Sequence, residues 1–341
     1  MRRHLVVGLV IALGFGLTAC TPKERIETLQ GPTMGSTYTV KYVRGPNMPA
    51  PDKVNVELQS ILNQVDRQMS TYRADSDLSE FNRLPAGSCQ TMPEPVLQLV
   101  RYGQQLAESS GGAFDLTIGP LLDVWGFGPH SRGRVQPSAE QIEQARSRVG
   151  YQYLKIEQNQ LCKEKALEVD LNSIAAGYTV DQVAERFQSL GIDSYMIEIT
   201  GELKAAGKKP DGSAWRIAIE EPNLEGQRIV QRILPIDGLG VNTSGDYRNY
   251  YEENGQRFSH TLDPNLAAPI QHKLAAVTVI DPSTLAADAL GTLLLVLGPD
   301  AGKAYAELHQ IAALFVSRVD EGFVTETSSA FDQLFPTGEQ P

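Results

Sequence analysis

The chain has 341 residues, with 30 Lys and Arg against 41 Asp and Glu, and a formal net charge of −11 at pH 7. So acidic a surface repels nucleic acid and anionic lipid headgroups, which excludes both as partners held by charge. The length is ample for one large core or two interlocked ones, and the lack of internal repeats or low-complexity tracts argues against a solenoid or a string of linked modules.

Arg2 and Arg3 precede an apolar stretch, Leu5 to Leu17, that is too short to span a bilayer and closes on Leu17-Thr18-Ala19-Cys20. A Cys directly after small residues at the end of such a stretch reads as a lipobox; the alternative is an ordinary signal peptide cut nearby. Residues 1–19 are then a signal peptide and Cys20 is the lipidated first residue of the mature chain, followed by a polar tether over 20–30 and a folded body over 31–335. A diacylglycerol plus an amide-linked chain supplies the several acyl anchors that stable tethering needs. The expected location is a membrane-anchored lipoprotein facing the periplasm, and Thr21, where an Asp is absent, favours the outer membrane in a Gram-negative host. Cleavage removes two basic groups and no acidic ones, so the mature chain is more acidic still. Cys89 and Cys162 either pair in an oxidising compartment or stay free; two cysteines make neither a disulfide framework nor a zinc site.

Within the body, Met34 to Val43 alternates like a strand, whereas Val54, Leu58, Ile61, Leu62, Val65 and Met69 form a helical stripe. Pro95 to Ala107 is a second helix. Ser138 with Gln141, and Gly150 beyond, marks a third with a capping box. A fourth runs from Asn172 to Leu190 and stops at Gly191. Between Tyr195 and Val279 the pattern turns to short strands, with turns at Lys209 to Gly212, Glu221 to Gly226 and Asn254-Gly255. A helix carrying Asp288 and another from Asp300 to His309 follow, then strands near Ala312 to Val319 and Phe323 to Thr325. Strand runs broken by helices without regular βαβ alternation indicate an α+β fold.

Several segments carry chemistry. In VIDPSTLAADALGT, Asp288 and Thr292 lie four residues apart, so on a helix both oxygens project from one face. Such a pair serves either local capping or a hard cation, because Mg2+ accepts oxygen ligands and keeps positions open for phosphates. Met34, between Gly31-Pro32 and Gly35, offers either a core side chain or a thioether against a flat ring. Tyr72 beside Arg73 suits a ring-plus-phosphate ligand, although turn aromatics also simply pack. In GGAFDLTIGPL, two glycines let the backbone approach a ligand, with Asp115 at a strand start. In VDLNSIAAGY, Asp170 ends a strand before a helix start that can face an anion or lend carbonyls to a metal. VNTSGDYRNYYEENGQRFSHTLDP reads as a hairpin in which Thr243, Ser244 and Gly245 form a polar turn and His260 lies on the returning strand, as a structural group or a general base.

Taken together, GPTMGSTY, STYRADSDLSEFN, GAFDLTIGPL, VDLNSIAAGY, TSGDYRNYY, SHTLDP and VIDPSTLAADALGT resemble the signatures of the FAD:protein FMN transferase (ApbE) family, in family order from about Gly31 to Ala330. The resemblance implies an ApbE-type, T-fold-like two-lobed fold with mixed, largely antiparallel sheets and an active-site cleft between the lobes. It implies that FAD is split at its pyrophosphate with Mg2+, that FMN is joined by a phosphoester to a Thr or Ser of a target protein, and that AMP leaves. The family's flavin contacts fall on Met34, Tyr72, Ala113, Phe114, Asp115, Asp170, Ala176 and Leu262. Its metal ligands fall on Ser173, through the backbone carbonyl, and on Asp288, Gly291 and Thr292, with His260 as base for the attacking hydroxyl. Expected partners are redox proteins with a Ser/Thr flavinylation motif, such as sodium-pumping quinone reductase or electron-transfer complex subunits.

Two positions depart from the family. Ala176 stands where many relatives carry Lys or Glu, and Thr200-Gly201-Glu202 stands where relatives often read Gly-Gly-Asp. Two other readings stay open: an Mg2+-dependent FAD pyrophosphatase giving FMN and AMP, and a lipoprotein that binds FAD without chemistry. Tyr72 bears on the first, since some hydrolysing relatives have Asn near that position. Asp288, Thr292 and His260 argue against the second.

Overall fold

A computed structural model describes residues 24–336 other than 132, 223–228 and 248. Cys20, the leader before it and most of the turn expected at 221–226 lie outside the described residues. The chain opens with a hairpin of β1 (Arg25–Thr33) and β2 (Ser36–Arg44), paired without a break from Arg25↔Arg44 to Thr33↔Ser36. Its two-residue loop is Met34-Gly35, with φ of 46° and 71°; a right-twisted hairpin this tight needs positive φ at both loop positions. The strand expected from Met34 therefore starts at Ser36. The expected tether is also shorter, because residues 25–30 already belong to β1. RIETLQGPT has too few apolar residues to announce a strand, and its ladder to β2 makes it one.

Next come α1 (Pro51–Met69), α2 (Asp77–Arg83), β3 (Ser88–Thr91), α3 (Glu94–Ser109), α4 (Gly119–Val124), α5 (Ala139–Arg146), β4 (Leu154–Glu157) and β5 (Gln160–Lys163). Pro51 starts α1 where a missing N–H costs nothing, and Val54, Leu58, Leu62, Val65 and Met69 form its buried stripe. Each such side chain contributes roughly 1.5–3 kcal/mol relative to exposure. The Ser138 and Gln141 capping box is formed in both directions at the start of α5. Cys89 on β3 and Cys162 on β5 face each other across the ladder and are joined as a disulfide. Closing a separation of 73 residues, it stabilises the fold by about 2–4 kcal/mol, largely by restricting the unfolded chain.

The remainder comprises α6 (Ala175–Ser189), β6 (Tyr195–Ile199), β7 (Glu202–Ala206), β8 (Trp215–Glu220), β9 (Val230–Ile236), β10 (Leu239–Gly245), β11 (Tyr250–Glu253), β12 (Gln256–Ser259), β13 (Leu262–Asp263), β14 (Ala268–Pro269), β15 (Leu274–Asp281), α7 (Thr284–Leu308), β16 (Ala312–Arg318), β17 (Phe323–Thr327) and α8 (Ser329–Leu334). Gly298, at φ 81° and ψ −176°, breaks α7 just before Pro299, so the two helices expected there are two halves of one kinked element.

Eight strands form one sheet in the order β1-β2-β6-β7-β10-β15-β16-β17, and every neighbouring pair is antiparallel. The molecule is thus α+β with antiparallel sheets, as the broken strand runs indicated. β15 is buried over nearly its whole length because both faces are covered. Val277 and Val279 join a cluster with α3 and α7, whereas Ala276 and Ile280 join one with the β8–β9 hairpin and α8. A third cluster seats α1 and α6 on β2 and β6 through Leu58, Leu62, Val183 and Phe187 against Tyr42, Tyr195 and Ile197. This seating places the start of α6 beside the start of α7.

Candidate active site

The first half of α7 carries the chemistry. Ser283 caps it, its hydroxyl accepting from the Ala286 N–H at 3.3 Å, and Asp288 follows one turn in with Thr292 one turn further on the same face. Asp288 is buried. Its carboxylate accepts from the Gly177 N–H of α6 at 3.0 Å and from Asn242 Nδ2 of β10 at 3.2 Å. Position 177 admits no side chain, because a Cβ there would lie 2.4 Å from the Thr284 carbonyl and 2.7 Å from Asp288 Cβ.

The same Asn242 amide donates to Glu202 Oε1 at 3.3 Å. Ser244 Oγ donates to Asn242 Oδ1 at 3.0 Å, which turns the NH2 of Asn242 toward the two carboxylates. Glu202 begins β7 after a turn at Thr200 and Gly201, with φ of 58° and 123°, and its Oε2 accepts from Thr200 Oγ1 at 2.5 Å. This is the departing triplet of the sequence. Gly201 supplies the freedom of its turn, and the longer Glu side chain reaches the amide that serves Asp288. Among the described residues, neither carboxylate has an ion-pair partner. Burial first, and the charge of Glu202 second, push Asp288 well above the usual carboxylate range; burial likewise raises Glu202.

Two further carboxylates stand nearby. Asp170 is buried, with Asn172 N donating to it at 2.7 Å and Asn172 Nδ2 at 3.0 Å. Burial, followed by the charge of Asp123, pushes it up to about 6. Asp115 is raised by burial although Thr117 N, Thr117 Oγ1 and Tyr151 N all donate to it. Neither residue sits on a strand, contrary to the sequence expectation. Asp115 organises a turn, and Asp170 lies in an extended segment tied by its N–H to the Leu116 carbonyl; both have extended sequence patterns but no ladder partner.

Thr243, Ser244 and Gly245 are likewise not the expected turn. They are the end of β10, paired with β15, and the hairpin is β11–β12, closed by Asn254-Gly255 with φ of 53° and 77°. His260 follows β12. Its N–H and its Nδ1 both meet the Asn249 carbonyl, each at 3.0 Å. A carbonyl only accepts, so Nδ1 carries the hydrogen and Nε2 keeps its lone pair. Burial lowers the imidazole pKa below its ordinary value, which keeps the ring neutral.

These groups share one cavity of about 750 Å³, lined among others by Ala113, Phe114, Asp115, Asp170, Ser173, Glu202, Asn242, Ser244, His260, Leu262, Asp288 and Thr292. The size suits a substantial organic ligand. Four sequence candidates lie off its lining. Met34 is in the β1–β2 loop, packed against the core cluster that includes α7. Tyr72 is 70% exposed; partial burial, then the charges of Asp170 and Asp123, raise its pKa. Ala176 is buried in the first turn of α6. Gly291 faces β10 so closely that a Cβ would come 2.3 Å from Asn242 Oδ1, so its evident part is to let Asn242 approach. Sequence reasoning missed Asn242, Gly177 and Asn249, and it noted Glu202 only as a departure. No local pattern marks them: Gly177, Asn242 and Glu202 act through contacts forty or more residues away, and Asn249 acts through its backbone carbonyl, which carries no side-chain signal.

The chain is similar to known proteins in both sequence and fold. The ApbE family model matches residues 34–315. An FAD:protein FMN transferase of Haemophilus influenzae is 40% identical over 353 residues, covering 99% of this chain and 100% of the relative. The apo crystal structure of the flavinyl transferase ApbE of Pseudomonas stutzeri superposes with a TM-score of 0.87 at 58% identity, covering 93% of this chain and 98% of that one. The flavin transferase ApbE of Vibrio cholerae gives 0.85 at 40% identity, covering 91% and 99%.

The carboxylate pair has a consequence for stability. Raised folded-state pKa values mean that the contribution of the pair is fully present below the unfolded carboxylate range, about pH 4, and is lost as pH rises through the folded values. We predict that Asp288→Asn, compared with the parent chain in chelator, gains denaturation midpoint progressively as pH rises above about pH 4. A difference that does not vary as pH rises above that range would contradict the assignment.

Proposed function

The chain belongs to the ApbE family and is an FAD:protein FMN transferase, and we propose that the cavity is where FAD is split at its pyrophosphate and FMN is passed to a Ser or Thr hydroxyl of a target protein. The carrying observation is that a buried Asp288 and a half-buried Glu202 with no counter-charge among the described residues, and a neutral histidine with a free Nε2, line one cavity. A binder without chemistry needs neither. Ala113, Phe114, Leu262, Asp115 and Asp170 are assigned to the flavin, with Met34, Tyr72 and Ala176 at its margins. The cavity takes the place of the inter-lobe cleft expected from the family resemblance, and residues 31–335 with the rest of β1 form the catalytic body.

Asp288 and Thr292, with the Ser173 carbonyl, would hold Mg2+, with Glu202 across from them and Gly291 behind. The donor set fits: all are oxygens, and two of the carboxylates lack a counter-charge among the described residues, as a hard cation demands. When bound, such an ion neutralises charge on the diphosphate and on the leaving phosphate. The protein does the rest by placement. The acceptor hydroxyl attacks the FMN phosphorus and gives its proton to His260 Nε2. A new ester bond forms to FMN, and the bond to the bridging oxygen breaks, so AMP departs with that oxygen.

The acceptor class is a short Ser/Thr motif on a membrane redox protein, such as a subunit of a sodium-pumping quinone reductase or electron-transfer complex. Lipidation at Cys20 would hold enzyme and target on one membrane facing the periplasm, which raises their effective concentration without any new contact. The Cys89–Cys162 disulfide suits that compartment.

With FAD, Mg2+ and an acceptor peptide, the purified protein is expected to add one FMN mass to the peptide and release one AMP, and Asp288→Ala to reduce both by more than about 100-fold. Equal AMP release without acceptor would select the pyrophosphatase reading, and absence of both products would leave only a binder. His260→Asn should lower the rate by roughly 10² to 10⁴. Because burial lowers its pKa and the base works neutral, the acidic limb of the parent rate profile should fall below about pH 6.5; a limb above that value, or one unchanged in the variant, speaks against His260. Cys20→Ala should move the protein from the membrane to the soluble fraction with activity intact, and retention on membranes would refute the anchor.

A further inference from the structure

We propose that Asp181, on α6, is a positioning residue that fixes the register of α7 and thereby the divalent-ion affinity of a site it does not line. The inference rests on the reading that Asp288 and Thr292 hold the ion.

A helix begins with amide groups that have no partner inside it. Ser283 meets one of these, the Ala286 N–H. The two before it are met from another helix: Asp181 Oδ1 accepts from Thr284 N at 3.1 Å and Asp181 Oδ2 from Leu285 N at 3.1 Å. Ser283 Oγ donates to Asp181 Oδ2 at 3.0 Å, and Lys204 Nζ donates to Asp181 Oδ1 at 2.8 Å and to the Pro282 carbonyl at 2.6 Å. The Asp181 and Lys204 side chains are only 17% and 14% exposed. One carboxylate thus receives four donors, and a single lysine from β7 ties it to the chain entering α7. A negative charge here also opposes the positive end of the helix dipole.

Leverage comes from spacing. Gly177 and Asp181 are one turn apart on α6, and Thr284 and Asp288 are one turn apart on α7. Gly177 N–H donates to Asp288 while Asp181 grips Thr284 and Leu285, so two contacts at matched spacing lock translation and rotation together. The close approach is real: Cβ atoms at Gly177 and Gly240 would fall 2.4 Å and 2.5 Å from Thr284 oxygens. A slip of one residue would turn Asp288 by about 100°, away from Glu202 and the cavity. Lys204 lies two residues beyond Glu202 on β7, so the strand that supplies one carboxylate also braces the helix that supplies the other.

The test compares Mg2+ binding by calorimetry in the parent, Asp181→Ala, Asp181→Asn and a control, Ser328→Ala. The control removes a buried cap on α8 whose hydrogen bonds reach neither α6 nor the first turns of α7. Asp181→Ala is expected to weaken Mg2+ by about 10-fold or more, Asp181→Asn to recover part of that loss, and Ser328→Ala to lose thermal stability at unchanged affinity. In turnover, the loss should appear as a raised Mg2+ requirement with kcat restored at saturating ion. Affinity in Asp181→Ala within about twofold of the parent, or an equal loss in the control, overturns the proposal. If Asp181→Ala does not fold, Asp181→Asn and Lys204→Met decide it: an affinity loss in both supports it, and parent affinity in both overturns it. Absence of Mg2+ binding by the parent, with Asp288→Asn indistinguishable from it, would instead bring down the underlying site assignment and this inference with it.

Discussion

Two acidic side chains from distant parts of the chain meet in a corner where the described residues supply amide and hydroxyl hydrogens and no cation. Asp288 comes from a helix and Glu202 from a strand, and the Asn242 amide donates to both. An amide satisfies geometry but not charge. Two desolvated carboxylates a few ångströms apart are an unfavourable arrangement unless a proton or an external cation intervenes. Once both are ionised, such a pair gives the fold no stability, and strained electrostatics of this kind concentrate at functional sites.

Much of the surrounding architecture serves to bring that corner together. β7 and β10 are neighbours in the large sheet, which sets Glu202 beside Asn242. α7 crosses the same strands closely enough that positions 177, 240 and 291 have no room for a Cβ. Each of these glycines removes bulk where backbone or side-chain oxygen approaches, and together they bring α6, β10 and α7 to hydrogen-bonding range. Larger residues there would push the helix outward and separate the carboxylates.

What the sequence reveals and what it conceals divide along contact range. Asp288 and Thr292 were visible as a pair because four residues on a helix is a local relation, and α1, α3 and the capped α5 were legible for the same reason. His260 and the Asp170 segment were visible through chemistry and family resemblance, yet their strands were misplaced. Thr243 to Gly245 looks like a turn because small polar residues form turns, but β15 supplies its ladder from more than thirty residues away. Residues 25–30 look like a tether because almost nothing in them is apolar, and the partner strand alone makes them a strand. The Glu202 and Asn242 partnership with Asp288 spans more than forty residues, and no period or spacing reports it. The cysteine pair was undecidable from two residues and is decided by the ladder that sets Cys89 opposite Cys162.

The charged residues that line the cavity are mostly acidic. Asp115, Asp170, Glu198, Glu202, Glu220 and Asp288 line it, against Arg216 as the basic residue among the described ones. A ligand with a diphosphate would meet like charge there. Three features moderate the repulsion: burial raises Asp115, Asp170, Glu202 and Asp288 toward the neutral form, His260 stays uncharged, and Ala113, Phe114 and Leu262 provide apolar wall for a flat ring. Protonation alone does not suffice, because Asp170 at about 6 is largely ionised at neutral pH. On the proposed assignment, a cation on Asp288 and Thr292 would offset the negative charge that the dinucleotide meets there. Substrate affinity and catalytic rate then depend on the same corner, and the neutral histidine suits it for a physical reason: a charged imidazolium would have been a second cation but no base.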